Sequence, residues 1–285
     1  MNIKIENLEH TYMAGSPLSK QALYDVNLEI KSGSFTGLIG HTGSGKSTLI
    51  QHLNGLLKPT GGKIYVDGKD IFSSDISLKQ LRFNVGLVFQ YPEYQLFDET
   101  VGGDIAYGPK NMGLSASEIN GRVEEAIRLV GLNESILSKS PFELSGGQKR
   151  RVAIAGILAM QPKVLILDEP TAGLDPKGRD DMLTNISRLH REHDMTTILV
   201  SHSMEDVARV CDHVIVMNKG TVAMEGTVKE VFSRANELTQ MHLDVPQITQ
   251  LATKLREMGY PLPPDIYTTS QAYEAILLLA KGKSE

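Results

Sequence analysis

The segment Gly40-His41-Thr42-Gly43-Ser44-Gly45-Lys46-Ser47 narrows the possible folds of this chain more than any other. It fits the phosphate-loop pattern of a glycine, four residues, a second glycine, a lysine and a hydroxyl residue. It follows a short apolar strand, Phe35-Thr36-Gly37-Leu38-Ile39, and opens a helix that holds Thr48 and is expected to run through Leu56. That strand-to-helix setting is the one the pattern needs. Glycines let backbone N–H groups turn inward around phosphates, and the helix aims its positive end at the same charge. Lys46 is placed to reach the β- and γ-phosphates of a nucleoside triphosphate, and Ser47 to ligate Mg²⁺.

Two further segments are continuously apolar, Val164-Leu165-Ile166-Leu167 and Thr196-Thr197-Ile198-Leu199-Val200. Unbroken runs of this length suit parallel strands buried on both faces, and the helical patterns between them predict a parallel α/β core. The start of the chain reads differently. Ile3 and Ile5, then Val26, Leu28 and Ile30, alternate with polar residues, and Lys63-Ile64-Tyr65-Val66 ends in the turn pair Asp67-Gly68. These predict an antiparallel flank. A closing hairpin is expected from Val214–Met217 and Val222–Met224, joined through Asn218-Lys219-Gly220.

Between about Tyr91 and Met160 the pattern becomes helical. Ser115 and Glu118 form a capping box, after which Ile119, Val123, Ile127 and Val130 recur at helical spacing. A helical subdomain over about 91–160 is therefore expected inside a nucleotide-binding domain of residues 1–226. The remainder, 227–285, reads as a helical extension broken at Tyr260-Pro261-Leu262-Pro263-Pro264. Its last helix places Tyr273, Ile276, Leu277 and Ala280 on one face.

Chemistry gathers at two more places. Asp168 and Glu169 end the Val164–Leu167 strand, where Asp168 is positioned to hold Mg²⁺ and Glu169 to orient the attacking water. Leu144-Ser145-Gly146-Gly147-Gln148 precedes a largely apolar helix; its hydroxyl and bare glycine N–H groups make a second phosphate-binding helix start. One chain thus offers two phosphate-binding ends but one lysine-bearing loop.

Composition excludes several alternatives. The net charge of −5 and the pI near 5.9 do not suggest a nucleic-acid reader, and none is expected as a partner. A single cysteine, Cys211, rules out an internal disulfide and a CxxC metal site, and suits a reducing cytoplasm. The first residues, Met1-Asn2-Ile3-Lys4-Ile5-Glu6, lack the apolar stretch of a signal peptide. No run approaches the roughly 18 apolar residues of a membrane span, so membrane work would need other anchoring subunits.

The order of phosphate loop, Gln90, Leu-Ser-Gly-Gly-Gln, Leu-Ile-Leu-Asp-Glu, Gly173-Leu174-Asp175 and His202 resembles the ATP-binding cassette ATPases. Gln148 stands 20 residues before Asp168, as in that family. The resemblance implies a phosphate-loop ATPase core with an antiparallel β subdomain and an inserted helical subdomain. It also implies a head-to-tail dimer, in which each ATP lies between the Lys46 loop of one subunit and Ser145–Gln148 of the other. By the same likeness Tyr12 is the aromatic that stacks on adenine, and Gln90 senses Mg²⁺ and the nucleophilic water. Asp175 crosses the dimer interface, and His202 bonds the γ-phosphate while holding Glu169 and water.

Phe89-Gln90-Tyr91-Pro92-Glu93-Tyr94-Gln95-Leu96-Phe97 looks like the glutamine-loop extension of energy-coupling factor transporter ATPases. That family often has Asp where this chain has Glu93, a carboxylate expected to pair with an arginine of a transmembrane partner. The opening Ile5-Glu6-Asn7-Leu8, His10-Thr11-Tyr12 and Gly15-Ser16-Pro17 most resemble the second of two paired ATPases. The likeness implies a homologous ATPase partner, a transmembrane coupling subunit and substrate-binding membrane subunits that import vitamins or transition-metal ions. The chain would then sit at the cytoplasmic face of the cell membrane, held by its partners. A cassette ATPase of another importer or exporter, or of a non-transport system, stays open beside this reading.

Overall fold

In the computed structural model, which describes residues 1–282, the alternating segments pair as an antiparallel sheet. Strands β1 (Ile3–Tyr12), β2 (Lys20–Ile30), β4 (Gly61–Val66) and β5 (Lys69–Asp70) lie in the order β2-β1-β4-β5. The second sheet has six strands: β3 (Phe35–Ile39), β6 (Val85–Val88), β7 (Val164–Asp168), β8 (Thr196–Val200), β9 (His213–Asn218) and β10 (Thr221–Thr227). Their order is β10-β9-β3-β8-β7-β6, all parallel except the β9–β10 hairpin.

The apolar runs are buried at every position of β3, β7 and β8. Successive side chains of a strand point to opposite faces, so each run serves two cores. Val164 and Ile166 join Ile3, Ile5 and Val26 of the antiparallel sheet and Leu49, Ile50 and Leu53 of helix α1 (Lys46–Leu53). Leu165 and Leu167 face the other way, against the helices. Helix α1 ends three residues short of the expected Leu56. Gly55 there takes φ +67° where the chain turns away toward β4, a conformation suited to glycine; α2 (Leu78–Asn84) follows β5.

The helical subdomain comprises α3 (Val101–Met112), α4 (Ala116–Leu129) and α5 (Gly146–Leu158). Ile105, Val123, Ile127, Val152 and Ala155 are buried between them. The predicted capping box at α4 is formed: Ser115 Oγ accepts from Glu118 N, and the Glu118 carboxylate accepts from Ser115 N. Helices α6 (Pro176–Glu192) and α7 (Met204–Val210) then alternate with β8 and β9.

Beyond β10 come α8 (Val228–Phe232), α9 (Ala235–Gln240), α10 (Gln247–Glu257) and α11 (Thr269–Gly282). Val231, Phe232 and Leu238 still belong to the main core, whereas Ala252, Leu262, Ile266, Ala272 and Ala275 form a small core of their own. Helix α11 turns Ala272 and Ala275 toward that core, with Leu279 packed against it, while Ala280 is exposed. Tyr273, Ile276 and Leu277 share a face, as their spacing predicts, but the face is exposed. Small side chains let α11 approach closely, so those three larger residues are left outside. No helix among the described residues is long and apolar enough to cross a membrane.

Candidate functional site

Because β6, β3, β7 and β8 run parallel, their C-terminal ends deliver distant segments to one edge of the sheet, the usual place for a ligand crevice. The registers put Leu38 beside Val200, Val200 beside Asp168, and Val88 beside Leu167. Immediately beyond lie the phosphate loop, His202, Glu169 and Gln90. A cleft of about 660 Å³ opens there, lined by Tyr12, Thr42, Gly43, Gly45, Lys46, Ser47, Thr48, Gln90, Asp168, Glu169 and His202. Eleven of the residues expected from sequence therefore meet in one place.

The loop is shaped by the glycines its neighbours demand. A Cβ on Gly40 would lie 2.4 Å from the Met217 carbonyl oxygen and 2.5 Å from Ser44 Oγ, and one on Gly45 would lie 2.9 Å from Leu23 Cδ2. Gly43, in contrast, has open space at that position, and its φ of +81° is what calls for glycine there. Gly40, His41 and Ser44 shape the loop from behind: Ser44 is fully buried and does not line the cleft. Gly40→Ala is expected to cost about 1–3 kcal/mol, the usual penalty for overpacking. Thermal unfolding measures that cost, and ATP titration should show weakened binding; an unchanged Tm would contradict the tight fit.

Lys46 Nζ donates to the carbonyls of Gly40 (2.6 Å) and His41 (3.1 Å). Burial pulls its pKa below the ordinary lysine value, against the opposing pull of Glu169 and Asp168. Asp168 shows the converse. Burial and the Glu169 charge push its carboxyl up to about 6, with Lys46 resisting. Glu169 sits at φ +51°, a left-handed conformation uncommon for a non-glycine residue, with its N–H donating to the Val200 carbonyl at 3.0 Å. Its Oε1 lies 2.7 Å from His202 Nδ1; an ionised carboxylate only accepts, so the imidazole donates.

The second phosphate-binding end lies elsewhere. None of Ser145, Gly146, Gly147, Gln148 or Asp175 lines the cleft. Ser145 caps α5, accepting from Gln148 N at 3.3 Å while Gln148 Oε1 accepts from Ser145 N at 3.0 Å. No atom of the chain lies within 4 Å of a Cβ built on Gly146 or Gly147. Nothing within this chain requires glycine there, so the pair leaves α5's first turn open to an external anion. Asp175 caps α6, accepting from Gly178 N at 2.7 Å.

Glu93 does face an arginine, but one of its own chain. Arg150, on α5 and only 3% exposed, donates from Nε (3.1 Å) and Nη2 (2.8 Å) to the two Glu93 oxygens. Its Nη1 donates to the carbonyls of Pro170 (3.2 Å) and Ala172 (2.5 Å). Burial pushes the Glu93 pKa up, but the bidentate bond and the charge of Arg150 outweigh it and hold the carboxyl below its ordinary value. Within the chain, both oxygens of the Glu93 carboxylate are thus engaged by Arg150. Sequence reading also missed Lys20, Gln21, Ala22, Tyr24, Lys219 and Gly220, which line the cleft from β2 and the β9–β10 turn. They carry no motif; the tertiary pairing alone puts them there.

Residues 23–172 match the family model described as ABC transporter. The chain is 58% identical over 282 residues to the energy-coupling factor transporter ATP-binding protein EcfA2 of Caldanaerobacter subterraneus, covering 99% of each. It is 57% identical over 285 residues to EcfA2 of Clostridium perfringens, covering 100% of each. Among solved structures it resembles cbiO1 from Clostridium perfringens, part of the ABC transporter complex cbiONQ (TM-score 0.74, 42% identity, 87% of this chain and 97% of that one). It also resembles the dimeric ATP-binding cassette MJ0796 bound to ADP and Pi (TM-score 0.70, 33% identity, 79% and 98%). Near full-length identity to the first two, on a cleft built as described, shows that the chain belongs to the energy-coupling factor transporter ATP-binding proteins of the ATP-binding cassette family.

Proposed function

We propose that this chain hydrolyses ATP as one half of a head-to-tail ATPase pair that drives an energy-coupling factor transporter. The carrying observation is the separation of the two phosphate-binding ends. The Lys46 cleft holds one set of donors, while the bare start of α5 lies outside that cleft. A second cassette is what brings such an α5 start to the cleft, and the similar cassette bound to ADP and Pi is described as dimeric.

In this reading Tyr12 offers its ring to adenine, and the loop from Gly40 to Thr48 cradles the phosphates. Lys46 exchanges its two carbonyl acceptors for phosphate oxygens. Glu169 orients water for in-line attack on the γ-phosphorus, and His202 holds Glu169 through their 2.7 Å bond. Gln90 reaches the same water and metal from the end of β6. Ser145 to Gln148, with Asp175, close the opposite cleft of the partner.

Asp168, Ser47 and Gln90 are hard oxygen donors that fit Mg²⁺, which keeps several waters and takes few protein ligands. The raised Asp168 pKa fits too, because a buried carboxylate beside Glu169 is relieved by a nearby cation. Held by Asp168, Ser47 and Gln90, Mg²⁺ would supply positive charge to offset the negative charge of the transferring phosphoryl group.

The partners proposed are a homologous ATPase, a transmembrane coupling subunit and small membrane proteins that bind vitamins or transition-metal ions. The chain reaches the cytoplasmic side of the cell membrane through them. The test is affinity purification of the tagged chain from detergent-solubilised membranes, with co-purifying proteins identified by mass spectrometry. A second, similar ATPase with a polytopic subunit is the expected result. Ribosomes, repair factors or no membrane protein would leave the ATPase standing and defeat the transport role.

A further inference from the structure

Two imidazoles lie behind the adenine end of the cleft, at positions where core side chains are the rule. Along β1, Ile3, Ile5, Leu8 and His10 face inward; His10 is 7% exposed. It meets His52, fully buried on α1 one turn beyond Thr48. His52 Nδ1 lies 2.7 Å from the Thr48 carbonyl, so this nitrogen carries the proton. Burial lowers the His52 pKa to about 4 against the opposing Thr48 hydrogen bond, so it is neutral at ordinary pH. Its Nε2 is then an acceptor, and His10 Nδ1 donates to it at 3.1 Å.

The contacts close on themselves through Tyr12. His10 meets the Tyr12 ring edge to face, with centroids 4.5 Å apart and planes at 82°. Tyr12 Oη lies 3.1 Å from Thr48 Oγ1, in the first turn of the helix that begins with Lys46. Tyr12, Thr48, His52 and His10 therefore form a closed ring joining β1 of the antiparallel sheet to the phosphate-loop helix. The arrangement leaves His10 Nε2 buried without a partner, a cost that two apolar residues would not incur.

We propose that His10, through His52 and Thr48, is a positioning residue that fixes the Tyr12 ring relative to the phosphate loop. The base and phosphate ends of the nucleotide are then bound at a set separation. This rests on the reading of Tyr12 as the adenine platform. The role is to position, not to react: His10 does not line the cleft, whereas Tyr12 does.

The test compares the wild-type full chain with His10→Ala, His10→Phe, His10→Asn, Tyr12→Ala and the double variant His10→Ala/Tyr12→Ala. Calorimetric titrations with MgATP and with magnesium tripolyphosphate, which has no base, read the two ends separately. Loss of the edge-to-face contact is expected to raise the ATP Kd about tenfold in His10→Ala. Tripolyphosphate affinity and kcat at saturating ATP should stay unchanged. His10→Phe keeps a ring and His10→Asn keeps the donor to His52, so each should recover part of the loss and guard against a folding defect.

In the double variant, His10→Ala should add nothing to Tyr12→Ala. Equal weakening of ATP and tripolyphosphate, full additivity, or no loss in His10→Ala would each overturn the proposal while Tyr12 kept its place. If Tyr12→Ala itself bound ATP normally, the adenine platform would be wrong and the positioning role would fall with it.

Discussion

Glu169→Gln is expected to lower the turnover of ATP hydrolysis by about 10²–10⁴-fold, the usual worth of a positioned acid–base group, with ATP affinity nearly unchanged. Glutamine has the same shape, and its amide oxygen can still accept from His202 Nδ1, so the 2.7 Å contact survives. What disappears is the ability to take a proton from water. The backbone at Glu169 supports this reading. A left-handed φ of +51° costs a non-glycine residue energy, and such strain collects at functional sites. Phosphate release at steady state, beside equilibrium ATP binding, separates the two effects. Normal turnover in the glutamine variant would remove Glu169 from the mechanism.

Arg150→Ala is expected to destabilise the fold by about 3–5 kcal/mol, the cost of stripping one partner from a buried ion pair. The guanidinium serves both Glu93 oxygens and two main-chain carbonyls, and alanine leaves all four acceptors short. Thermal unfolding should show a Tm lowered by several degrees. The double variant Glu93→Leu/Arg150→Met should be less damaged than Arg150→Ala, since it removes both charges together. Greater damage in the double variant would deny the pairing.

The pH sign follows from the depressed Glu93 pKa. The stabilisation is complete above 4.5, the ordinary glutamate value, and is lost as acid carries the pH down through the lower native value. Arg150→Ala should therefore lose the Glu93 part of its disadvantage as the pH falls through that window, keeping the part due to the Pro170 and Ala172 carbonyls.

Local chemistry was legible in the sequence wherever one short segment carried it. The phosphate loop needs its glycines and lysine within eight residues, and β7 announces its two-sided burial by an unbroken apolar run. The capping box at Ser115 and the cap at Ser145 are equally local. Pairings across the chain were not legible. Glu93 and Arg150 are 57 residues apart, and nothing in either segment names the other. Nothing in the segments around His10 and His52 ties one to the other, because only the tertiary meeting of β1 with α1 joins them. Lys20 and Lys219 reach the cleft by the same kind of accident of topology. The apolar face of α11 was visible as a pattern, but periodicity alone does not say which side packs, and there Ala272 and Ala275 do.

The two cores that share β7 clamp that strand from both faces. Val164 and Ile166 are gripped from one side, Leu165 and Leu167 from the other, and β6 and β8 bond both edges. A strand held on four sides has no free direction, so Asp168 and Glu169 at its tip stand on a rigid mount. The helical subdomain is tied to this mount through Arg150, whose grip on Pro170 and Ala172 lies just beyond Asp168 and Glu169.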